Sequence, residues 1–394
     1  MTSSSIAYGV DQLTRGAATL PPGRYGMLTN DAARTVDGAT LSRVAVVQAG
    51  VELRRLFSPE HGIAADAADG ARVADGVDAA TGLEIVSLYG ERLRPLPAAL
   101  ADLDGVLVDL PDIGARFYTY IWSLSHLLEV GGELGLPITV LDRPNPIGGD
   151  LTAAEGPLLD VDACSGFLGR YPMPVRHSLT IGELARLWNA EEQLGVELTV
   201  VPTAGWDRGD HQPATGAPFV PTSPAIACYE SALLYPGVCL FEATNLSVGR
   251  RTPQAFQQVG APWLDADAAC EAFNKAALPG IASEAVAFTP TLEPHAGERC
   301  QGVRLIVTDP AEVRPVAAGL ALLAIVMRQS PGAFAWRPYP TAANPSGERH
   351  FDLLVGRRGV GELLADSHRD LPRLVAELTA APGWRERAEP HLLY

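Results

Sequence analysis

The 394-residue sequence is poor in the features that mark several large functional classes. Its five cysteines, Cys164, Cys228, Cys239, Cys270 and Cys300, are odd in number, widely spaced and never arranged as CxxC, so neither a zinc site nor a disulfide framework is signalled. Cys239 lies in an apolar run and reads as a small core residue. Positive charge is scarce. Thirty Lys and Arg stand against 46 Asp and Glu, for a formal net charge of -16. That disfavours duplex nucleic acid as a partner, because phosphate neutralisation needs clustered cations. It leaves room for an anionic small substrate, for which one or two local arginines suffice. No stretch of about 18 apolar residues occurs, so no transmembrane helix is expected. Met1 to Val10 has neither a basic n-region nor a long apolar h-region; a signal peptide is not expected, and the chain as written reads as cytoplasmic. No GxGxxG follows the first predicted strand, and no Walker A loop, GxSxG elbow or HExxH pair is present. No cofactor and no metal are therefore expected.

What is present is an ordinary globular composition, 47% hydrophobic and 19% charged, in a chain long enough for two domains. In the first half, short apolar runs alternate with helical patterns. Strands are predicted at Tyr25–Thr29, Val51–Phe57, Glu84–Leu88, Gly105–Leu110, Pro137–Leu141 and Glu197–Val201, with a helix over Thr119–Val130 and another opened by the capping box at Thr180. Apolar runs separated by helices predict a parallel sheet covered on both faces, a doubly wound, Rossmann-like α/β domain. Trp206 to Ile226, rich in Pro, Gly and Thr, reads as a long loop near a boundary, which divides the chain into residues 1–226 and a smaller α+β domain over 227–394. In the second part, Gly302–Val307 is a predicted strand, and Val313–Ser330, Leu371–Thr379 and Trp384–His391 are predicted helices. Val238–Phe241 and Phe351–Val355 are read as strands.

Polar residues gather where the predicted strands end: Asn30, Glu60 with His61, Asp109 and Asp112, and Asp142, Arg143 and Asn145. Ligands of open parallel sheets bind outside the carboxyl ends of the strands, so these groups are expected on one rim. Ser58-Pro59-Glu60-His61-Gly62 sets a carboxyl beside an imidazole between a stiffening Pro and a permissive Gly. Burial there would raise the carboxyl pKa, as a general acid requires; the same segment would also serve as a turn whose Glu caps a helix. Asp109 to Tyr120 packs two acids, Arg116, Tyr118 and Tyr120 behind a strand, which suits either a site or a local Asp–Arg pair with half-buried Tyr. Asp142 to Gly149 presents Arg143 and Asn145 on a rigid loop. Glu242 to Pro253 carries Asn245, Arg250 and Arg251, suited to a carboxylate or simply to solvent. Arg176-His177 is a weaker candidate for the same rim.

Taken in order, Leu28-Thr-Asn30, Leu56 to Ile63, Ser87 to Gly90, Asp109 to Tyr120, Leu141 to Pro146, Arg176 with Thr180 to Ala185, Pro221 to Pro224, Leu234 to Asn245 and Gly249 to Trp263 resemble the exo-β-N-acetylmuramidase (NamZ) family, block by block across most of the chain. Ala64 to Gly70 is more acidic and Ala-rich than that resemblance leads one to expect, and members of the family are often exported. The resemblance implies a Rossmann-like domain and a smaller domain with the active-site cleft between them, and release of N-acetylmuramic acid from the non-reducing end of peptidoglycan fragments. It places the catalytic acid on Glu60.

The expected mechanism has Glu60 protonate the glycosidic oxygen, with His61 or a nearby acid tuning it. Asn30, Tyr118 and Asn145 would hold hydroxyls or the acetamido group, with Glu242 and Asn245 lining the same site. Arg116, Arg143 or Arg250 would bind the lactyl carboxylate. Asp109, Asp112, Glu242 or the substrate's own acetamide would be the second catalytic group. Two other readings stand beside it: a non-catalytic module that binds muropeptides, and a transferase that uses a nucleotide sugar.

Overall fold

Strand β1 (Arg24–Thr29) is flanked on one side by β2 (Glu52–Ser58), β4 (Glu84–Ser87) and the short β3 (Gly76–Val77), and on the other by β5 (Gly105–Asp109), β6 (Ile138–Leu141) and β7 (Leu198–Val201). All neighbours run parallel except β3, which is antiparallel on the β4 edge. In this computed structural model, which describes residues 6–394, the parallel strands follow the order of the doubly wound dinucleotide-binding fold. The order reverses between β1 and β5, where Thr29 and Asp109 sit in register. Every residue of β5 and β6 is buried, which is why both read as unbroken apolar runs. The helix Tyr120–Leu134 stops at Gly135 in the left-handed region, and Ile181–Glu191 starts with the reciprocal Thr180/Glu183 capping box.

The second half holds an antiparallel sheet, order β8-β10-β9, made of β8 (Gln258–Ala261), β9 (Ile281–Phe288) and β10 (Cys300–Val307). Beside it, the helices Tyr229–Val238 and Pro315–Gln329 meet backbone to backbone: a Cβ on Gly319 would lie 2.5 Å from Gly237 Cα. Two expected strands are helical instead. Phe351–Val355 belongs to the helix His350–Val355, bounded by Arg349 and Gly356 in left-handed conformations. Val238–Phe241 finishes one helix and enters the 3-10 turn Cys239–Ala243. Both runs are short, and a few residues do not separate the period of a strand from that of a helix.

The halves share one continuous apolar core. Three buried polar clamps cross it. Glu155 accepts from the Val316 and Ala317 N–H groups at the start of the long helix. Arg176 donates to the carbonyls of Ile147 and Val313. Arg116 donates to the carbonyls of Pro157, Met173 and Leu354. The chain then returns to the first half, where Trp384 Nε1 donates to the His177 carbonyl and the Tyr394 hydroxyl to Asp142. No helix of the described residues is long and apolar enough to cross a membrane. Arg116→Ala leaves three buried carbonyls without their donor, and is expected to lower stability by about 3 kcal/mol or more. Urea denaturation measures this, and a loss below about 1 kcal/mol contradicts the clamp.

Candidate active site

The chain leaves β2 at Ser58 and turns at once. His61 (φ 65°) and Gly62 (φ 74°) are left-handed in succession, which is costly for the His and suits a turn that must be tight. His61 Nδ1 lies 2.8 Å from the Ala67 carbonyl, holding the loop closed on itself. The loop brings Asp69 and Gly70 back over Glu60. Gly70 N–H donates to Glu60 Oε1 at 2.9 Å, and the Thr119 hydroxyl is 2.5 Å from Oε2. Because an N–H only donates whereas a hydroxyl also accepts, Oε2 is the oxygen that can carry a proton. Gly70 is itself irreplaceable in space: it has φ 67°, and a Cβ there would lie 2.8 Å from Thr341 Cβ of the second half.

The second half completes the site. Arg250 lies between two acids, bonding Glu242 through Nε and reaching Asp69 Oδ1 through an NH2 nitrogen at 3.2 Å. The Tyr339 hydroxyl donates to Asp69 Oδ2 at 2.6 Å, and His350 stacks on the Tyr339 ring. Tyr89, Phe117, Tyr118, Tyr235 and Phe256 supply aromatic walls. The pocket lies between the halves, with Glu60, His61 and Asp69 from the first and Glu242, Arg250 and Tyr339 from the second.

The environment drives the two central carboxyls apart. Burial raises the Glu60 pKa above 4.5, and the negative Asp69 raises it further, outweighing His61 and the two hydrogen bonds. Burial acts on Asp69 in the same direction, but Arg250, then His61 and the Tyr339 hydroxyl, overcome it and hold Asp69 below the usual carboxylate value. Near neutrality Glu60 holds its proton more firmly than an exposed glutamic acid, and Asp69 is ionised. Such a divergence assigns an acid and an anionic partner. Ligand atoms of Glu60, His61 and Asp69 lie within 4.8 Å of one another, so this trio is also the place where a cation would find donors among the described residues.

Of the residues expected from sequence, Glu60, His61, Tyr118, Glu242 and Arg250 line this pocket. The others do not join them. Asp109, fully buried, takes the Ser42 hydroxyl and the Arg143 guanidinium. Arg143 is thereby locked as a structural cation. Arg116 is spent on its three carbonyls in the core. Asp112 accepts from Gly114 N–H and pairs with His177 at 3.1 Å. Asn30 turns its side-chain oxygen to Ala32 N–H, and Asn145 fixes its own loop between Leu179 and Ile147. Asn245 bonds Ala333 and Ala335 on a neighbouring loop. The strand-end rule therefore found the rim but not its division: the β4–β2 side opens to the second half, whereas Asp112 and Arg143 face a separate crevice under Pro218, Phe219 and Val220.

Four residues escaped sequence reasoning. Asp69 sits in the unexpectedly acidic Ala64–Gly70 stretch, which was its signal. Tyr89 follows β4 by the same strand-end rule, and Thr119 lies inside the Asp109–Tyr120 segment. Tyr339, from an unpatterned loop, gave none.

Both halves of the chain have counterparts among known proteins. Residues 25–230 match the family described as Exo-beta-N-acetylmuramidase NamZ, N-terminal, and residues 233–394 its C-terminal counterpart. A Bacillus subtilis protein named Peptidoglycan beta-N-acetylmuramidase NamZ is 40% identical over 300 residues, 76% of this chain and 72% of that one. Two crystal structures of DUF1343-family proteins from Bacteroides fragilis superpose over 99% of both chains, with TM-scores of 0.85 at 28% identity and 0.76 at 25%. With its two halves matched in order and its fold shared end to end, the chain belongs to the exo-β-N-acetylmuramidase NamZ family.

Proposed function

We propose that this protein is a glycosidase that releases N-acetylmuramic acid from the non-reducing end of peptidoglycan fragments, with Glu60 as the proton donor and Asp69 as its anionic partner. The observation that carries this reading is the buried Glu60 beside the partly exposed Asp69, whose surroundings favour opposite protonation states. Family membership supplies the substrate class. The terminal sugar occupies the enclosed pocket, with Glu60 Oε2 against the glycosidic oxygen. Proton transfer neutralises the departing alkoxide while Asp69 balances positive charge at the anomeric carbon. Arg250 and Tyr339 keep Asp69 ionised, and Arg250 is itself held by Glu242.

Carboxyl groups ~5–5.5 Å apart suit a double displacement, whereas ~6.5–9.5 Å leaves room for an attacking water. Glu60 and Asp69 oxygens lie within 4.8 Å. Two routes fit so short a spacing: attack by Asp69, and attack by the substrate's acetamide with Asp69 orienting its N–H. Both retain configuration. A pure binding module has no need of a buried acid whose pKa is raised beside an anion. A nucleotide-sugar transferase of this fold would use the crevice between β1 and β5, but there Arg143 is committed to Asp109 and Arg34 to the carbonyls of Asp31 and Gly38.

Glu60→Gln is expected to lower turnover of a chromogenic N-acetylmuramic acid glycoside by about 10²–10⁴-fold. The same variant has a stability signature. A raised native pKa means the folded protein binds that proton more tightly than the unfolded chain, so Glu60 favours folding while protonated and that contribution is lost as pH rises through the native value. Glu60→Gln is thus expected to melt progressively higher than the parent as pH rises from the ordinary glutamate value of 4.5 to the native midpoint. Near-normal turnover, or a melting difference that shrinks over that range, contradicts the assignment. Separately, proton NMR at early times is expected to show the β-anomer of N-acetylmuramic acid as the first product; first appearance of the α-anomer would mean inversion and would remove Asp69 from its proposed place.

A further inference from the structure

A second, larger groove adjoins the candidate pocket. Asp69, Glu242, Arg250 and Tyr339 form a wall common to both. An enzyme that removes a terminal sugar must let the remaining chain leave past the acid and its partner, and this groove begins at that partner. Its surface suits a saccharide: Pro224, Pro294, Pro338 and Pro340 offer flat apolar faces, with polar edges between them.

Two guanidinium groups in the groove stand out. The catalytic Arg250 is already balanced by two carboxylates. Arg251, exposed at its left-handed turn, and the half-buried Arg337 are not: among the described residues neither side chain has an ion pair or a hydrogen bond, although Asp66 and Glu293 line the same groove. Asp66, Asp69, Glu242 and Glu293 against Arg250, Arg251 and Arg337 leave this groove close to neutral in a chain of net charge -16, and among the described residues Arg251 and Arg337 are its cations without a partner.

We infer that Arg251 and Arg337 form a subsite for the leaving part of the glycan and bind a carboxylate carried by its second sugar, the next muramyl residue. The inference rests on the reading of the enclosed pocket as the site of the terminal muramic acid. In an alternating chain, the sugar next to the cleaved bond is a neutral glucosamine and the one after it again bears a lactyl carboxylate. A planar guanidinium recognises that group through paired N–H donors. The groove thereby selects glycan fragments of three sugars or more over the disaccharide, without touching the reacting bond.

The test uses two trisaccharides that differ only in that carboxylate: N-acetylmuramic acid joined to N-acetylglucosamine and then to either a second N-acetylmuramic acid or a second N-acetylglucosamine. Binding is measured by calorimetry to Glu60→Gln, which keeps the substrate intact, and to the same protein carrying Arg251→Ala and Arg337→Ala. The expected result is about tenfold or more preference for the doubly muramyl trisaccharide, abolished by the arginine substitutions and weakened by salt, with affinity for the other trisaccharide unmoved. Equal losses for both ligands would show that the arginines serve the terminal sugar or the fold, and would overturn the inference. So would absence of any preference, or absence of binding to both. Cleavage of the two trisaccharides by the protein with Glu60 intact is the independent arm. Failure to release muramic acid there refutes the hydrolytic reading while the binding preference still reports on the subsite; normal release with no preference refutes the subsite alone.

Discussion

The site depends on the burial of Glu60 beside Asp69. Two carboxyls within 4.8 Å cannot both hold full charge away from water without help, and the help is asymmetric. Glu60 receives one N–H and one hydroxyl, partners a neutral acid can keep. Asp69 receives a guanidinium and a phenol, partners that favour an anion. Those two come from the second half, on elements far away in sequence. The polar clamps at Arg116, Arg176 and Glu155 therefore act on chemistry indirectly, since they fix the halves on one core and so fix Arg250 and Tyr339 over the loop that follows β2.

The doubly wound sheet is used in an unusual place. Such folds ordinarily bind at the switch point between β1 and β5, with phosphates at a glycine-rich turn. Here the polar groups at that position are already committed to one another. Asp109, the last residue of β5, is tied to Ser42 and Arg143, and the loop containing Pro218, Phe219 and Val220 lines the crevice above. The working pocket has moved two strands aside, to the carboxyl ends of β2 and β4, where the second half can lean over it. Only the surroundings of particular residues, and not the architecture, tell the two crevices apart.

Much of this was legible beforehand. Apolar runs of five or six residues ending in polar ones announced the parallel strands, and the Thr180 capping box announced its helix, because those signals are local. Glu60 with His61 was legible for the same reason. The false leads also have a common cause. Asp109, Arg116 and Arg143 carry the right chemistry at the right strand ends, but a sequence does not say whether a charge faces a cleft or a partner. Arg116 in particular is a buried cation whose terminal nitrogens bond carbonyls from three separate segments, one of them Leu354. Asp69 was missed because its meaning depends on Arg250 and Tyr339, residues about 180 and 270 positions away. Phe351–Val355 was misread because a run of five residues is too short to tell the period of a strand from that of a helix.

Glu60 is a proton-holding acid because it is buried and because Asp69 is held ionised next to it. The most direct measurement is the titration of the Glu60 carboxyl itself, followed by carbon NMR with side-chain labelled glutamate and assigned by loss of its signal in Glu60→Gln. The account predicts a midpoint above the ordinary glutamate value of 4.5, which falls in Asp69→Asn when the neighbouring charge is removed. A midpoint at or below the ordinary value, or one that does not respond to Asp69→Asn, would contradict it.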